Sequence, residues 1–411
     1  MSILNRLEVL SPVGDYERLI SAIDYGADAV YLGRKEFGMR ASPLNFDYEG
    51  LKTAVNIAHE KGVKVYLTCN TLPRNSEISA FQAFIDEAVD CKVDAVIVAD
   101  IGVLSLVKKF APNMEIHMST QTGVVNYVTA NELYNMGAKR VVLARELSLE
   151  EIAEIRAKVP DDLDIEVFVH GAMCVSFSGR CLLSQYMVNR DANRGECAQP
   201  CRWSYHLVEE KRPNEFYPIY EDEKGTYILN AKDLCMIDHI DKLIEAGVTS
   251  LKIEGRAKSA YYVSIITNAY RMAVDHFKAN PNSFKLPKWI YDEVFKVSHR
   301  KYCTGFFFGN PKDCQYYETG GYIREYDVVG VIDYCADGKI YATQRNRFFS
   351  GDTVEIISPQ KEPIELKITA MYDEKGELVE SAKHAMMKLV IPCDMEFPPN
   401  SIMRIKKADS N

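Results

Sequence analysis

The sequence predicts an α/β chain: a (β/α)8, TIM-barrel-like N-terminal domain carrying a Cys-rich insertion, followed by a small C-terminal all-β barrel. Three observations lead there. Eight short β-branched runs recur along the first part of the chain, and segments with helical apolar spacing alternate with them. A weak internal repeat, GADAVYL (26–32), KVDAVIV (92–98), GAKRVVL (137–143) and GVTSLKI (247–253), passes from helix end to strand in the same way each time. Beyond residue 321 the helical spacing gives way to alternation of apolar and polar residues with Gly-containing turns.

In order, the strand-like runs are EVLSP (8–12), AVYLG (29–33), VYLTCN (65–70), AVIVAD (95–100), EIHMST (115–120), RVVLAR (140–145), IEVFVHG (165–171) and SLKIEG (250–255). Helical spacing is clear in DYERLISAIDYG, DYEGLKTAVNIAHEKG, SEISAFQAFIDEAVDC, TANELYNMG and LEEIAEIRAKV. Strict alternation implies parallel strands with helices outside, and eight such units in roughly 260 residues match a closed barrel better than a doubly wound open sheet. KSAYYVSIITNAYRMAVDHF reads as the last barrel helix, with another helix expected from Trp289 to His299. Residues 1–310 form the expected barrel domain, interrupted at about 172–249 between the seventh and eighth strands. Residues 321–411 form the β domain, with turns at Asp337-Gly338, Ser350-Gly351 and Lys375-Gly376.

Composition narrows the function classes. The chain has 411 residues, 47% hydrophobic and 26% charged, and a formal net charge of −9. That excludes a uniformly basic surface that coats nucleic acid, though a local basic patch remains compatible. No run approaches a membrane span, and the opening residues lack the basic and apolar regions of a secretory signal, so the expected location is the cytoplasm. In that compartment thiols stay reduced. Four of the eleven cysteines nevertheless fall in one passage, HGAMCVSFSGRCLLSQYMVNRDANRGECAQPC (170–201), with spacing C-x6-C-x15-C-x3-C. Cys174, Cys181, Cys197 and Cys201 are therefore candidate metal ligands. Spacing leaves an iron–sulfur cluster, a structural zinc and unligated thiols open; the lack of a C-x2-C knuckle and the flanking Gly and Arg residues favour a cluster.

A barrel places its chemistry at the C-terminal ends of the strands. Those ends carry Ser11, Arg34, Asn70, Thr71, Asp100, Ser119, Gln121, Arg145, Glu146, His170, Glu254 and Arg256. Asn70, Gln121 and Arg145, with Arg180 and Arg202 from the insertion, are candidate substrate-binding residues. Glu254, Arg256 and His170 are candidate catalytic residues: in KIEGR, Arg256 and Lys252 suit a carboxylate, and Glu254 suits orientation or proton transfer. Arg180, Arg190, Arg194, Arg202, Lys211 and Arg212 make the insertion locally basic, while Tyr186, Trp203 and Tyr205 are candidate stacking surfaces for a splayed base.

EVFVHGAMCVSFSGRCLLSQY, the opening LSPVGDYERLISAIDYGADAVYLG and the later SLKIEGRAKSAYYV together resemble the collagenase-like peptidases of unassigned catalytic type. SGRCLLS, NRDANRGECAQPCRW, EDEKGTYILNAKDL and KIEGR look most like the branch that hydroxylates tRNA. The resemblance implies an oxygen-independent conversion of the wobble uridine in the tRNA anticodon loop to 5-hydroxyuridine. It also implies prephenate as a required metabolite and a 4Fe-4S cluster on Cys174, Cys181, Cys197 and Cys201, with an electron donor it does not identify. Cys235 stays outside that ligand set, and zinc is the alternative occupant. The rival function is a metal- or thiol-dependent collagenase-like peptidase, for instance through Cys174 and His170. A third is a binding module with a structural zinc.

Overall fold

The computed structural model describes residues 3–38, 45–174, 181–192, 195–202, 220–222, 225–227, 231–309, 314 and 322–407. Eight parallel strands close on themselves: β1 (Glu8–Pro12), β2 (Ala29–Gly33), β3 (Lys64–Cys69), β4 (Ala95–Val98), β5 (Glu115–Met118), β6 (Arg140–Val142), β7 (Asp164–Ala172) and β8 (Ser250–Ile253). Neighbours in sequence pair side by side, and β8 closes the ring by pairing with β7 (Ser250 opposite Glu166) and with β1 (Ser250 opposite Glu8). The expected barrel is therefore what the chain forms.

Helices follow the strands on the outside: α1 (Tyr16–Asp24), α2 (Tyr48–Glu60), α3 (Phe81–Asp90), α4 (Ile101–Phe110), α5 (Tyr127–Asn135), α6 (Leu149–Lys158), α7 (Ile240–Glu245) and α8 (Ala260–Ala279). Most begin on a short polar side chain that accepts from a first-turn N–H: Asp15, Asp47, Asp100, Asn126, Ser148 and Ser259. Ser148 and Glu151 form a reciprocal capping box. The helix expected to reach His299 runs only from Lys288 to Glu293. The backbone then turns, Lys296 N–H bonding to Glu293, and His299 pairs instead with Ile323.

The long connection between β7 and β8 is not all insertion. Its last part is ordinary barrel, with α7 as the seventh outer helix. Just before α7, a short strand Asp233–Cys235 lies antiparallel to the end of β7, and Tyr302–Cys303 adds beside it. The stretch expected to divide the domains, 310–321, lies outside the described residues apart from Cys314.

The C-terminal module is a six-stranded antiparallel sheet of β9 (Tyr326–Ala336), β10 (Lys339–Gln344), β11 (Thr353–Ile357), β12 (Ile364–Lys367), β13 (Lys388–Pro392) and β14 (Ile402–Lys406), in the order β12-β11-β14-β9-β10-β13. Asp337 and Gly338, both at positive φ, form the two-residue turn joining β9 to β10. The sheet has its own core around Val329, Ile332, Ile340, Phe348, Ile356 and Met403.

Barrel and module are clamped through Arg404. Its fully buried guanidinium bonds Glu293 at 2.6 and 2.7 Å, Glu355 at 2.9 Å and the Tyr261 hydroxyl at 3.2 Å. Tyr25 adds hydrogen bonds to the carbonyls of Ile357 (3.0 Å) and Asn400 (3.1 Å), and Ile357 and Ile402 join the barrel's apolar core. No helix among the described residues is long and apolar enough to cross a membrane.

Candidate active site

The barrel lumen is built from alternate residues of each strand, and in this chain the alternation sends charge inward. Arg140 of β6 bonds Glu166 of β7 at 3.0 Å and also pairs with Glu8 of β1. Glu8 in turn accepts from Ser250 (2.8 Å) and from the Tyr66 hydroxyl (2.9 Å). One layer up, Lys252 Nζ meets the other Glu166 oxygen at 2.6 Å. Burial alone would raise the Glu166 carboxyl, but Lys252, Arg140 and His117 outweigh it and carry the group down to about 2. The lumen is thus a column of alternating charge, ending upward in the Lys252 ammonium, which lies 4.6 Å from the Tyr31 ring centroid.

Above Lys252 opens a cavity of about 1160 Å³ at the C-terminal mouth. Asn70, Gln121, Arg145, Lys252, Glu254 and Arg256 line it from the barrel side; Cys174, Cys181, Cys197 and Cys201 line it from the insertion. Arg145 lies 3.8 Å from the Phe168 ring centroid, donates to the Ala172 carbonyl at 2.8 Å and sits 3.7 Å from a Glu254 carboxylate oxygen. Arg256 is buried and reaches Thr68 Oγ1 at 3.3 Å and Asn45 Oδ1 at 2.5 Å. It can do so because residue 33 is Gly: a Cβ there would stand 2.4 Å from its Nη2. The Gln121 side-chain oxygen is closed to solvent and has no hydrogen-bond partner among the described residues.

The thiols are of two kinds. Cys174 and Cys197 are exposed and Cys181 and Cys201 partly buried, all on the cavity wall, and Cys197 Sγ accepts from the Gln199 N–H at 3.4 Å. Cys235 is buried behind β7, and burial pushes its thiol up to about 12. Four thiols on one cavity wall suit a thiolate-held metal group in chemistry. In this structure, however, no three His, Cys, Asp or Glu side chains among the described residues are gathered closely enough to hold an ion. Loading would have to draw the thiols together.

His170 is a correction. Pleat parity from Glu166 and Phe168 would point it into the lumen, but β7 and β8 shift register after Phe168–Lys252, so that His170 falls opposite Ile253. That irregularity turns the imidazole outward, away from the cavity, into a buried cage where Nδ1 lies 3.4 Å from the Tyr270 hydroxyl and Nε2 3.3 Å from that of Tyr302. Burial, with Lys258 and His299 nearby, depresses it to about 3, so the ring is neutral. Gly171 follows at φ +104, where a Cβ would meet the Glu254 carbonyl at 2.5 Å. No histidine is among the described residues lining the cavity, so Cys174 and His170 do not form a thiol–imidazole pair.

Other strand-end residues serve the scaffold. Ser11 bonds Thr267 at 2.7 Å, Asp100 caps α4, Thr71 bonds the Phe37 carbonyl at 3.2 Å and Arg34 pairs with Glu87. Glu146 does not line the cavity, whereas Ser119 does. Arg180, Arg194, Trp203, Tyr205, Lys211, Arg212 and the side chain of Arg202 lie outside the described residues. Arg190 lines the cavity, and Tyr186 is exposed on the insertion. Sequence reasoning missed Lys258, Ser298, Tyr322 and Arg324, which form one edge of the mouth.

A closed parallel barrel with its polar cavity at the C-terminal strand ends defines the class, a (β/α)8-barrel protein with its site where such barrels carry chemistry. Within that class the chain belongs to peptidase family U32: residues 14–316 match that family, and residues 324–404 match the peptidase family U32 C-terminal domain. Among its relatives is tRNA hydroxylation protein P1 of Bacillus subtilis, 37% identical over 98% of this chain and 95% of the relative. The 23S rRNA 5-hydroxycytidine C2501 synthase of Escherichia coli is 40% identical over 66% of this chain and 40% of its own. A Porphyromonas gingivalis protein named collagenase is 35% identical over 74% of each chain.

Proposed function

We propose that this protein is an RNA hydroxylase that converts the wobble uridine of tRNA to 5-hydroxyuridine without molecular oxygen. In this reading prephenate is a required metabolite and a 4Fe-4S cluster is held by Cys174, Cys181, Cys197 and Cys201. The observation that carries the reading is convergence: the four cysteines of the insertion and the polar groups of four strand ends line one cavity, wide enough for an extruded base. The kinship with two proteins named for RNA hydroxylation supplies the substrate class. When bound, a cluster of this kind supplies one-electron chemistry.

The chain's own groups have separable tasks. The Gln121 amide, on the cavity wall, can offer a donor and an acceptor to the edge of a base. Asn70, whose Nδ2 lies 3.5 Å from Ser119 Oγ, offers a second amide at the same wall. Lys252, Arg145 and Arg256 give the floor cationic groups suited to a carboxylate-bearing metabolite. Glu254, beside Arg145, is the acid–base group in reach of such a ligand. Acting on tRNA would place the protein in the cytoplasm.

The test is nucleoside mass spectrometry of tRNA from cells lacking the gene and every paralogue. The reading expects 5-hydroxyuridine to vanish and to return with the wild-type gene but not with Cys197→Ala. Undiminished 5-hydroxyuridine in the deletion would sink it. Collagen cleavage by purified protein that survives loss of the other three cysteines but not Cys174 would favour the peptidase reading instead.

A further inference from the structure

One edge of the cavity joins a barrel loop to the connector that leads into the C-terminal module, and the cysteine loop supplies none of it. Tyr322 precedes the C-terminal module and is fixed by its neighbour: Ile323 exchanges backbone hydrogen bonds with His299, at 2.7 and 3.2 Å. Three cations gather around its ring, with Lys258 Nζ at 4.2 Å from the centroid and the guanidinium carbons of Arg300 and Arg324 at 4.8 and 5.9 Å. Lys258 comes from the loop after β8 and Arg300 from the segment after the short helix Lys288–Glu293. One residue, Ser298, ties two of the cations together: its carbonyl accepts from Lys258 Nζ at 3.3 Å and its hydroxyl from Arg324 Nε at 3.1 Å.

Such an array has a cost. Like charges repel, and among the described residues neither Lys258 nor Arg324 pairs with a carboxylate, in a chain whose net charge is −9. A ring face attracts cations and partly offsets that repulsion. Lys258, Ser298, Tyr322 and Arg324 all line the cavity mouth, and Arg324 is exposed. We propose that the Tyr322 array is a phosphate clamp for a single-stranded RNA backbone, gripping the strand beside the nucleotide whose base enters the cavity. The inference rests on the RNA reading above and adds to it a docking edge built without the thiols. Because the clamp unites a barrel loop with the connector to the C-terminal module, it also gives the Arg404-anchored docking of that module a role in substrate grip.

The experiment is binding of a fluorescently labelled anticodon stem-loop RNA to the full chain, followed by anisotropy between about 50 and 200 mM KCl, where phosphate contacts show as a salt slope. The variants are Lys258→Ala, Arg324→Ala, Tyr322→Phe, Tyr322→Leu and, as control, Lys375→Ala in an exposed turn of the C-terminal module. Each of the first two should weaken binding several-fold and lower the slope of log K against log salt by about 0.7, the value for one contact to a single strand. Tyr322→Phe, which keeps the ring, should bind as wild type; Tyr322→Leu should lose affinity as the cations disperse. Lys375→Ala should change nothing. If the Lys258→Ala/Arg324→Ala double variant keeps wild-type affinity and slope, the clamp is overturned and the RNA reading stands. If wild type binds no RNA at any salt, both fall. Should Tyr322→Leu fail to fold, the exposed Arg324→Ala still decides.

Discussion

Lys252 Nζ lies 2.6 Å from Glu166 Oε1, and this buried pair joins the charged barrel interior to the floor of the cavity. Glu166 is fully buried between Lys252 above and Arg140 below, so its carboxylate serves two cations at once. Glu166→Ala leaves both without it and is expected to cost about 3–5 kcal/mol, read from urea unfolding at pH 7. Glu166 is held at about 2 in the folded state, below its unfolded value, so its contribution is present above the ordinary carboxylate pKa. It is lost as pH falls from there toward 2.

His170 shifts stability in the same direction for another reason. Its folded pKa of about 3 lies below the ordinary imidazole value, so the unfolded chain takes up the proton first. The contribution is complete above about pH 6.5 and falls steadily as pH drops toward 3. His170→Asn should show a shallower loss of thermal stability between pH 7 and 5 than wild type. It should also retain hydroxylation per folded molecule, since the ring does not reach the cavity. A variant that folds normally but has no activity would restore His170 to the chemistry.

Gly33→Ala tests the placement of Arg256. The new Cβ would stand 2.4 Å from Arg256 Nη2 and 2.9 Å from Thr68 Oγ1, so the guanidinium and the Thr68 side chain must move while the strand backbone is left clear. The free energy of unfolding should stay within about 1 kcal/mol of wild type while activity falls about tenfold or more, the signature of a displaced positioning group. Equal activity would show that Arg256 is only scaffold.

Arg404→Met tests the clamp between barrel and module. It removes a fully buried cation from Glu293 and Glu355 and should cost about 3–5 kcal/mol, because two carboxylates lose their shared partner. Limited proteolysis should then release the C-terminal module before the barrel is cut.

The barrel was legible because parallel strands buried on both faces appear as β-branched runs, and each run found its strand within a residue or two at its start. Strand ends then pointed to Asn70, Gln121, Arg145, Glu254 and Arg256, which the structure brings to one cavity. His170 was misplaced because the register shift between β7 and β8 reverses which face a side chain takes, and nothing in IEVFVHG announces it. Asp100 and Arg34 were indistinguishable in sequence from site residues because a helix cap and an ion pair use the same residue types at the same strand ends. The inward charges were partly visible, since Glu166 in β7 and Lys252 in β8 break otherwise apolar runs. The Tyr322 edge was not visible, because it joins segments that only the closed ring brings together.

The central claim is that four thiolates at the barrel mouth hold a redox cluster. Anaerobic purification, with an ultraviolet–visible spectrum and iron, sulfide and zinc analysis of wild type and Cys197→Ala, tests it most directly. The account predicts a broad sulfur-to-iron absorption, with about four irons and four sulfides per chain, lost in Cys197→Ala. One zinc per chain, or iron content unchanged by the substitution, would contradict it.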